Sequence, residues 1–152
     1  MIYIKEGNVL YAKEEIIGVQ VNCMAHMNGF DALQIKLAYP KVYDAYRLYC
    51  EANQYTPEKL LGTMMPIWVN NKCVVSLFGQ DTYGHGRRFT NYKALLVSLK
   101  RLKGYCQQLN RVPALPWGIG CKDAGGDWDI IYNMLGHVFE DWKVSLYMGG
   151  DW

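Results

Sequence analysis

Several short motifs that would announce a chemistry are missing from this chain. It has no CxxC pair and no HExxH, so neither a zinc knuckle, a redox dithiol nor a zincin helix is suggested. The five cysteines (Cys23, Cys50, Cys73, Cys106 and Cys121) are odd in number and widely spaced, which fits reduced thiols better than a disulfide framework. The three histidines, His26, His85 and His137, lie far apart, and no metal site or cofactor is expected. Apolar runs stop far short of the roughly 20 residues that a spanning helix needs, so no membrane partner is expected. Met1–Glu6 has neither the basic start nor the apolar stretch of a signal peptide, and the expectation is a cytoplasmic protein, in the host cytoplasm if the gene is viral. A net charge of only +2 argues against nucleic acid as the main partner. With 51% apolar residues disorder is excluded, and 152 residues suit one domain, 1–152, with a sizeable core.

What is present is an alternation of strands and helices. Ile2–Ile4 and Ile16–Asn22 read as strands, the second β-branched, apolar and hence central. A helical pattern runs from about Ala32 to Ala52, and Pro40 kinks or splits it. Leu61–Val69 and Cys73–Gly79 read as a hairpin turned by 70–72, followed by a polar loop over 80–91. Tyr92, Leu95, Leu96, Leu99, Leu102 and Cys106 recur at helical spacing behind a cap at Thr90 or Asn91. Val112–Leu115 is a short strand. A last helix follows Asp127 as N-cap, and Lys143–Tyr147 closes the chain as a strand. Such alternation predicts an α/β sandwich around a largely parallel sheet.

The strongest chemical signal is the segment 115–128, where Gly118, Gly120, Gly125 and Gly126 lie between a strand and a helix. Glycine lets backbone amides turn toward a ligand, and a helix N-terminus adds positive dipole, so the segment suits phosphate. It is neither a Walker A loop nor a GxGxxG fingerprint, and the plainer alternative is a tight connection with no ligand. The second signal is the loop 22–32, also between a strand and a helix, carrying His26 as an acid or base for neutral pH. His26 could equally be an ordinary loop histidine. Cys23 beside it would make a thiol nucleophile only with an orienting third group, which is missing. Arg87, Arg88, Lys93, Lys100, Arg101 and Lys103 could track a phosphate backbone, but they suit the solvated face of a helix better.

Val21-Asn22-Cys23 through Met27 and Ala32, with Ala38 to Tyr46, resembles the first loop and helix of macrodomains. Leu77–Gln80 with Tyr83-Gly84 and Arg88–Tyr92, and then Leu115–Cys121 through Ala124–Trp128, resemble the same family over essentially the whole chain. The likeness is to the branch that processes ADP-ribose 1″-phosphate, which is related to terminal ADP-ribose glycohydrolase. It implies an α/β fold, a three-layer α/β/α sandwich around a mixed, largely parallel sheet, with a cleft for ADP-ribose or a derivative. Asn8 and Val9 would lie at the adenine end. Asn22, Ala25, Met27, Asn28 and Gly29 would wrap the distal ribose. Gly118, Ile119, Gly120, Cys121, Gly125 and Gly126 would hold the diphosphate.

The departures from the family pattern are as telling. Ala25, Asn28 and Phe30 replace three loop glycines, and Asp31 takes an apolar position. Gln80 stands where glycohydrolase relatives have a catalytic lysine, and Ala124 where they have an aspartate. A covalent lysine mechanism is thereby disfavoured, which leaves Asp127 or Asp123 as base and His26 as acid. The alternative is a binder without turnover that sequesters ADP-ribose-type signalling nucleotides, such as cyclic ADP-ribose isomers, in phage or bacterial counter-defence. Phe30 either turns inward as core or faces the cleft as an apolar wall that narrows the distal site. In the second case, Asn28→Gly with Phe30→Gly strengthens binding of plain ADP-ribose relative to the preferred ligand by about tenfold or more, since such a wall is worth roughly 1–3 kcal/mol. Competition calorimetry measures this ratio. A folded double variant with the ratio unchanged removes the loop from specificity.

Overall fold

A computed structural model describes the backbone of residues 1–27 and 30–149, and all their side chains except those of Phe30 and Asp31. Asn28, Gly29 and the side chain of Phe30, all expected near the distal ribose, therefore lie outside the described residues. Six strands, β1 (Ile2–Glu6), β2 (Ile16–Val21), β3 (Met64–Val69), β4 (Lys72–Phe78), β5 (Pro113–Pro116) and β6 (Val144–Met148), form one sheet in the order β1-β6-β5-β2-β4-β3. Every pairing is parallel except β3 with β4. Parallel neighbours need long crossovers, and the helices supply them.

Helices α1 (Phe30–Ala38) and α2 (Pro40–Ala52), with the short α3 (Pro57–Leu60), cover one face of the sheet. Pro40 divides the first two by sitting at the first turn of α2, where its missing N–H is harmless. Helices α4 (Tyr92–Leu109) and α5 (Trp128–Val138) cover the other face through Leu95, Leu99, Leu102, Ile131 and Leu135. Asn91 caps α4 by accepting from the Ala94 amide at 3.0 Å, so the cap falls there rather than on Thr90. Strand β2 is buried on both faces, as its run of β-branched residues predicts. The sandwich matches the expected fold class. Two elements escaped the sequence: α3, which moves the start of β3 to Met64, and a 3-10 turn at Val9–Tyr11. Both are too short for periodicity to reveal.

One polar cluster ties the β1 edge to the loop before β2. Glu14 accepts from Lys5 Nζ at 2.8 Å and from the Tyr147 hydroxyl at 2.6 Å. Burial pushes the Glu14 carboxyl up, but hydrogen bonds from Lys5, Ser145 and Tyr147 outweigh it and hold the pKa at about 2. The folded value lies below the ordinary 4.5, so the stabilisation is complete above pH 4.5 and is lost as pH falls toward 2. The Lys5 side chain is 42% exposed, and solvent screening reduces the effect to roughly 2 kcal/mol. Glu14→Gln is expected to lower unfolding free energy by about that amount at pH 7 and to match the unsubstituted protein near pH 2. Urea unfolding across pH measures the convergence, and a gap that persists at low pH contradicts it.

Candidate functional site

Because β2, β4 and β5 run parallel, the loops that leave them gather at one edge of the sheet, where open α/β folds place their crevices. A cleft of about 340 Å³ opens there. Its walls come from the end of β2, the loop after it, the loop after β4 and the glycine segment after β5. They include Gln20, Asn22, His26, Gln80, Tyr83, His85, Ile119, Gly120, Cys121 and Asp123.

The loop after β2 is built on Asn22. Its Oδ1 accepts from the amides of Met24 (2.9 Å) and His26 (3.3 Å), and its Nδ2 donates to the His26 carbonyl at 2.9 Å. From below, the buried Tyr46 hydroxyl lies 2.6 Å from the Asn22 carbonyl oxygen and 2.9 Å from Oδ1. Burial pushes the Tyr46 hydroxyl up, so it remains a donor. Asn22 thus lines the cleft, but its side chain shapes the loop itself. Ala25 takes a left-handed conformation, φ +59°, that favours glycine. Burial pushes the Cys23 thiol up to about 12, which removes it as a nucleophile. The His26 ring stacks on Tyr83 with centroids 3.6 Å apart and planes 3° from parallel.

The opposite wall is the glycine loop. Gly118 and Gly120 have φ of +80° and +79°, and their N–H groups meet no acceptor among the described residues. The Gly120 carbonyl accepts from Thr90 Oγ1 at 2.7 Å and from the Gly126 amide at 2.8 Å. A Cβ on Gly125 would lie 2.6 Å from the Arg87 carbonyl oxygen, so this close approach requires glycine. Burial pushes the Cys121 thiol up to about 11.

The fold gathers seven of the residues singled out from sequence into the cleft: Asn22, His26, Gln80, Ile119, Gly120, Cys121 and Asp123. Others do not line it. Asn8 caps the 3-10 turn by accepting from the Leu10 amide at 2.9 Å, and Val9 and Met27 are core. Ala25, Gly118, Gly125 and Gly126 lie off the wall, within the two loops that form it. Asp127 is the N-cap of α5, with Oδ1 2.9 Å from the Asp129 amide, and its capping role is the one the geometry displays. Asp123 instead lies at the cleft, 3.6 Å from His85 Nδ1. Sequence reading had given no site role to Gln20, Tyr83 or His85. For Gln20 the signal was available, a lone amide in an otherwise apolar strand.

Among the described residues no group of three His, Cys, Asp or Glu side chains could hold a metal ion. Nor is any helix of the described residues long and apolar enough to cross a membrane.

A three-layer sandwich with a cleft at the carboxyl ends of its parallel strands is an architecture with a ligand crevice at that edge. No family model matches the chain. Its fold is similar to the macrodomain of Mycobacterium tuberculosis DarG, with TM-score 0.81, 25% identity and 99% of each chain covered. It is similar also to the macrodomain of Thermus aquaticus DarG, with TM-score 0.79, 24% identity and 97% of each chain covered. Thermosipho africanus DarTG, solved in complex with ADP-ribose, matches at TM-score 0.78 and 14% identity over 96% of this chain and 41% of its own. Curated relatives from Mycobacterium tuberculosis and Mycobacterium bovis, named DNA ADP-ribosyl glycohydrolase, are 26% identical over 142 residues. That match covers 92% of this chain, which spans only 39% of their length. The chain has the macrodomain fold.

The Asn22 loop depends on one buried hydroxyl. Tyr46→Phe leaves the Asn22 carbonyl short of its donor and is expected to cost about 1–3 kcal/mol in chemical denaturation. The amides of Met24 and His26 then exchange with solvent faster than in the unsubstituted protein. Unchanged exchange there would show that the loop holds without Tyr46.

Proposed function

We propose that the cleft binds ADP-ribose or an ADP-ribose derivative and hydrolyses it at the distal ribose end. One observation carries the reading. The left-handed Gly120 on the cleft wall, with Gly118 behind it in the same loop, has an N–H that meets no acceptor among the described residues, and the loop leads into α5, a cradle suited to a diphosphate. The likeness to a protein solved with ADP-ribose, and to proteins named ADP-ribosyl glycohydrolases, supports the same ligand class. Among the acid–base groups at the cleft are His26 and Asp123. In ADP-ribose 1″-phosphate hydrolysis, a water oxygen attacks phosphorus while Asp123 takes its proton. The bond from phosphorus to the ribose oxygen breaks, and His26 returns a proton to that oxygen. An ADP-ribosyl ester could be cleaved by the same pair, with water attacking the ester. His85, paired with Asp123, would orient that carboxylate.

A second reading, sequestration without turnover, is favoured by Gln80. Its Oε1 accepts from Gln20 and its Nε2 donates to the Thr82 carbonyl at 2.8 Å, so this position supplies no nucleophile. The two readings separate in one set of measurements. Calorimetry with ADP-ribose is expected to give saturable one-site binding. Phosphate release from ADP-ribose 1″-phosphate is expected to fall about 100-fold or more in Asp123→Asn, and to change little in Asp127→Asn, which can still cap α5. Binding with the ligand recovered intact, from both the phosphate and an ADP-ribosylated oligonucleotide, selects the sequestering role. Absence of binding overturns both readings.

A further inference from the structure

Gln20 departs from its strand. The rest of β2 is Ile16, Ile17, Gly18, Val19 and Val21, and an apolar side chain would suit the buried sheet at that point. Instead the amide reaches across the floor of the cleft. Its Nε2 donates to Gln80 Oε1 and to Thr90 Oγ1, both at 2.9 Å. The Thr90 hydroxyl in turn donates to the Gly120 carbonyl at 2.7 Å. One chain of hydrogen bonds therefore links the loop after β4, the end of β2 and the glycine loop after β5.

The surroundings are cut to fit this amide. A Cβ built on Gly79 would sit 2.3 Å from Gln20 Oε1 and 2.9 Å from Cδ, so any side chain at 79 displaces it. A Cβ on Gly120 would lie 3.3 Å from both Gln20 Oε1 and Thr90 Oγ1. Oε1 itself is buried with no hydrogen-bond partner among the described residues. An unpaired buried acceptor costs stability, and such a group in a folded protein calls for an explanation, a functional role among them. An ordinary structural amide would have both ends satisfied.

We propose that Gln20 is a positioning residue of the cleft: its amide ties Gln80 to Thr90 and, through Thr90, fixes the carbonyl of Gly120, the residue whose own N–H, in the preceding peptide, belongs to the ligand cradle. The proposal deepens the ADP-ribose reading and rests on it for its effect on binding. Its effect on the empty loop is independent of any ligand. With the Gly120 carbonyl held by Thr90 and Gly126, rotation of the peptides on either side is restrained. Without Gln20, the Thr90 hydroxyl loses the donor that orients it, and the loop gains freedom that ligand binding must then remove.

The test compares Gln20→Met, which keeps length and removes the amide, with Thr90→Val, their double variant and Gly79→Ala. In the empty protein, hydrogen exchange at the Cys121 and Gly126 amides is expected to quicken about tenfold or more in each single variant. Gln20→Met should leave the thermal midpoint unchanged or raised, because the orphan acceptor goes with the amide. Calorimetry is expected to show ADP-ribose affinity about tenfold lower in Gln20→Met and Thr90→Val, with the double variant no weaker than either single one. Unchanged loop exchange overturns the proposal, as does unchanged affinity in a Gln20→Met protein whose parent binds. Additive losses in the double variant overturn it too, since the two residues would then act separately. If the parent fails to bind ADP-ribose while the loop exchange still quickens, the functional reading falls and the positioning role stands.

Discussion

The register of β2 is the constraint on which the rest of the molecule depends. Six residue pairs join it to β4 and two join it to β5, all parallel. Parallel pairing forces every exit from these strands to the same edge of the sheet, so three loops distant in sequence must meet there. A one-residue slip of β2 would turn Ile17, Val19 and Val21 away from the α1–α2 core, which is why the register holds. The cleft follows from this pairing before any side chain in it is considered.

Where the loops meet, buried polar groups do what apolar packing does elsewhere. Tyr46 and Asn22 shape one wall, and Gln20, Thr90 and the Gly120 carbonyl tie the floor to the other. The Ala124 carbonyl, accepting from the Phe89 and Thr90 amides at 2.8 and 3.0 Å, joins the loop after β4 to the glycine loop a second time. Hydrogen bonds of this kind contribute little net stability, but losing one partner leaves the other buried and unpaired. The cleft is therefore rigid on the sides where main chain would meet a ligand. The His26–Tyr83 stack, with Tyr83 47% exposed, stands at the wall where side chains face solvent.

Much of the fold could be read from residue pattern alone, since each long element has a strong period or a clear stop. Pro40, Asn91 and Asp127 marked helix starts, and the apolar run at 16–21 marked the inner strand. The site was read less well, for a physical reason. Sequence spacing locates loops, but it does not say which polar atoms a loop uses on itself. Asn22 and Asn8 have the chemistry of ligand-binding amides, and their oxygens close local turns. Asp127 carries a free-looking carboxylate that caps a helix. Gln20 and His85 went the other way, because their partners, Gln80 and Thr90 in one case and Asp123 in the other, lie 38 to 70 positions away along the chain.

The five thiols divide between the two layers. Cys23 and Cys50 belong to the core beneath α2, Cys73 and Cys106 to the core beneath α4, and Cys121 packs against the second. Burial pushes all five up to about 11 or 12, so at neutral pH only on the order of one thiol in ten thousand or fewer would ionise even if reached. At the four fully buried ones, Cys23, Cys50, Cys73 and Cys106, an alkylating reagent must wait for the layer above to lift. The molecule thus carries one pair of chemical clocks on each side of its sheet. Their relative rates would tell whether the two helical layers open together or one at a time.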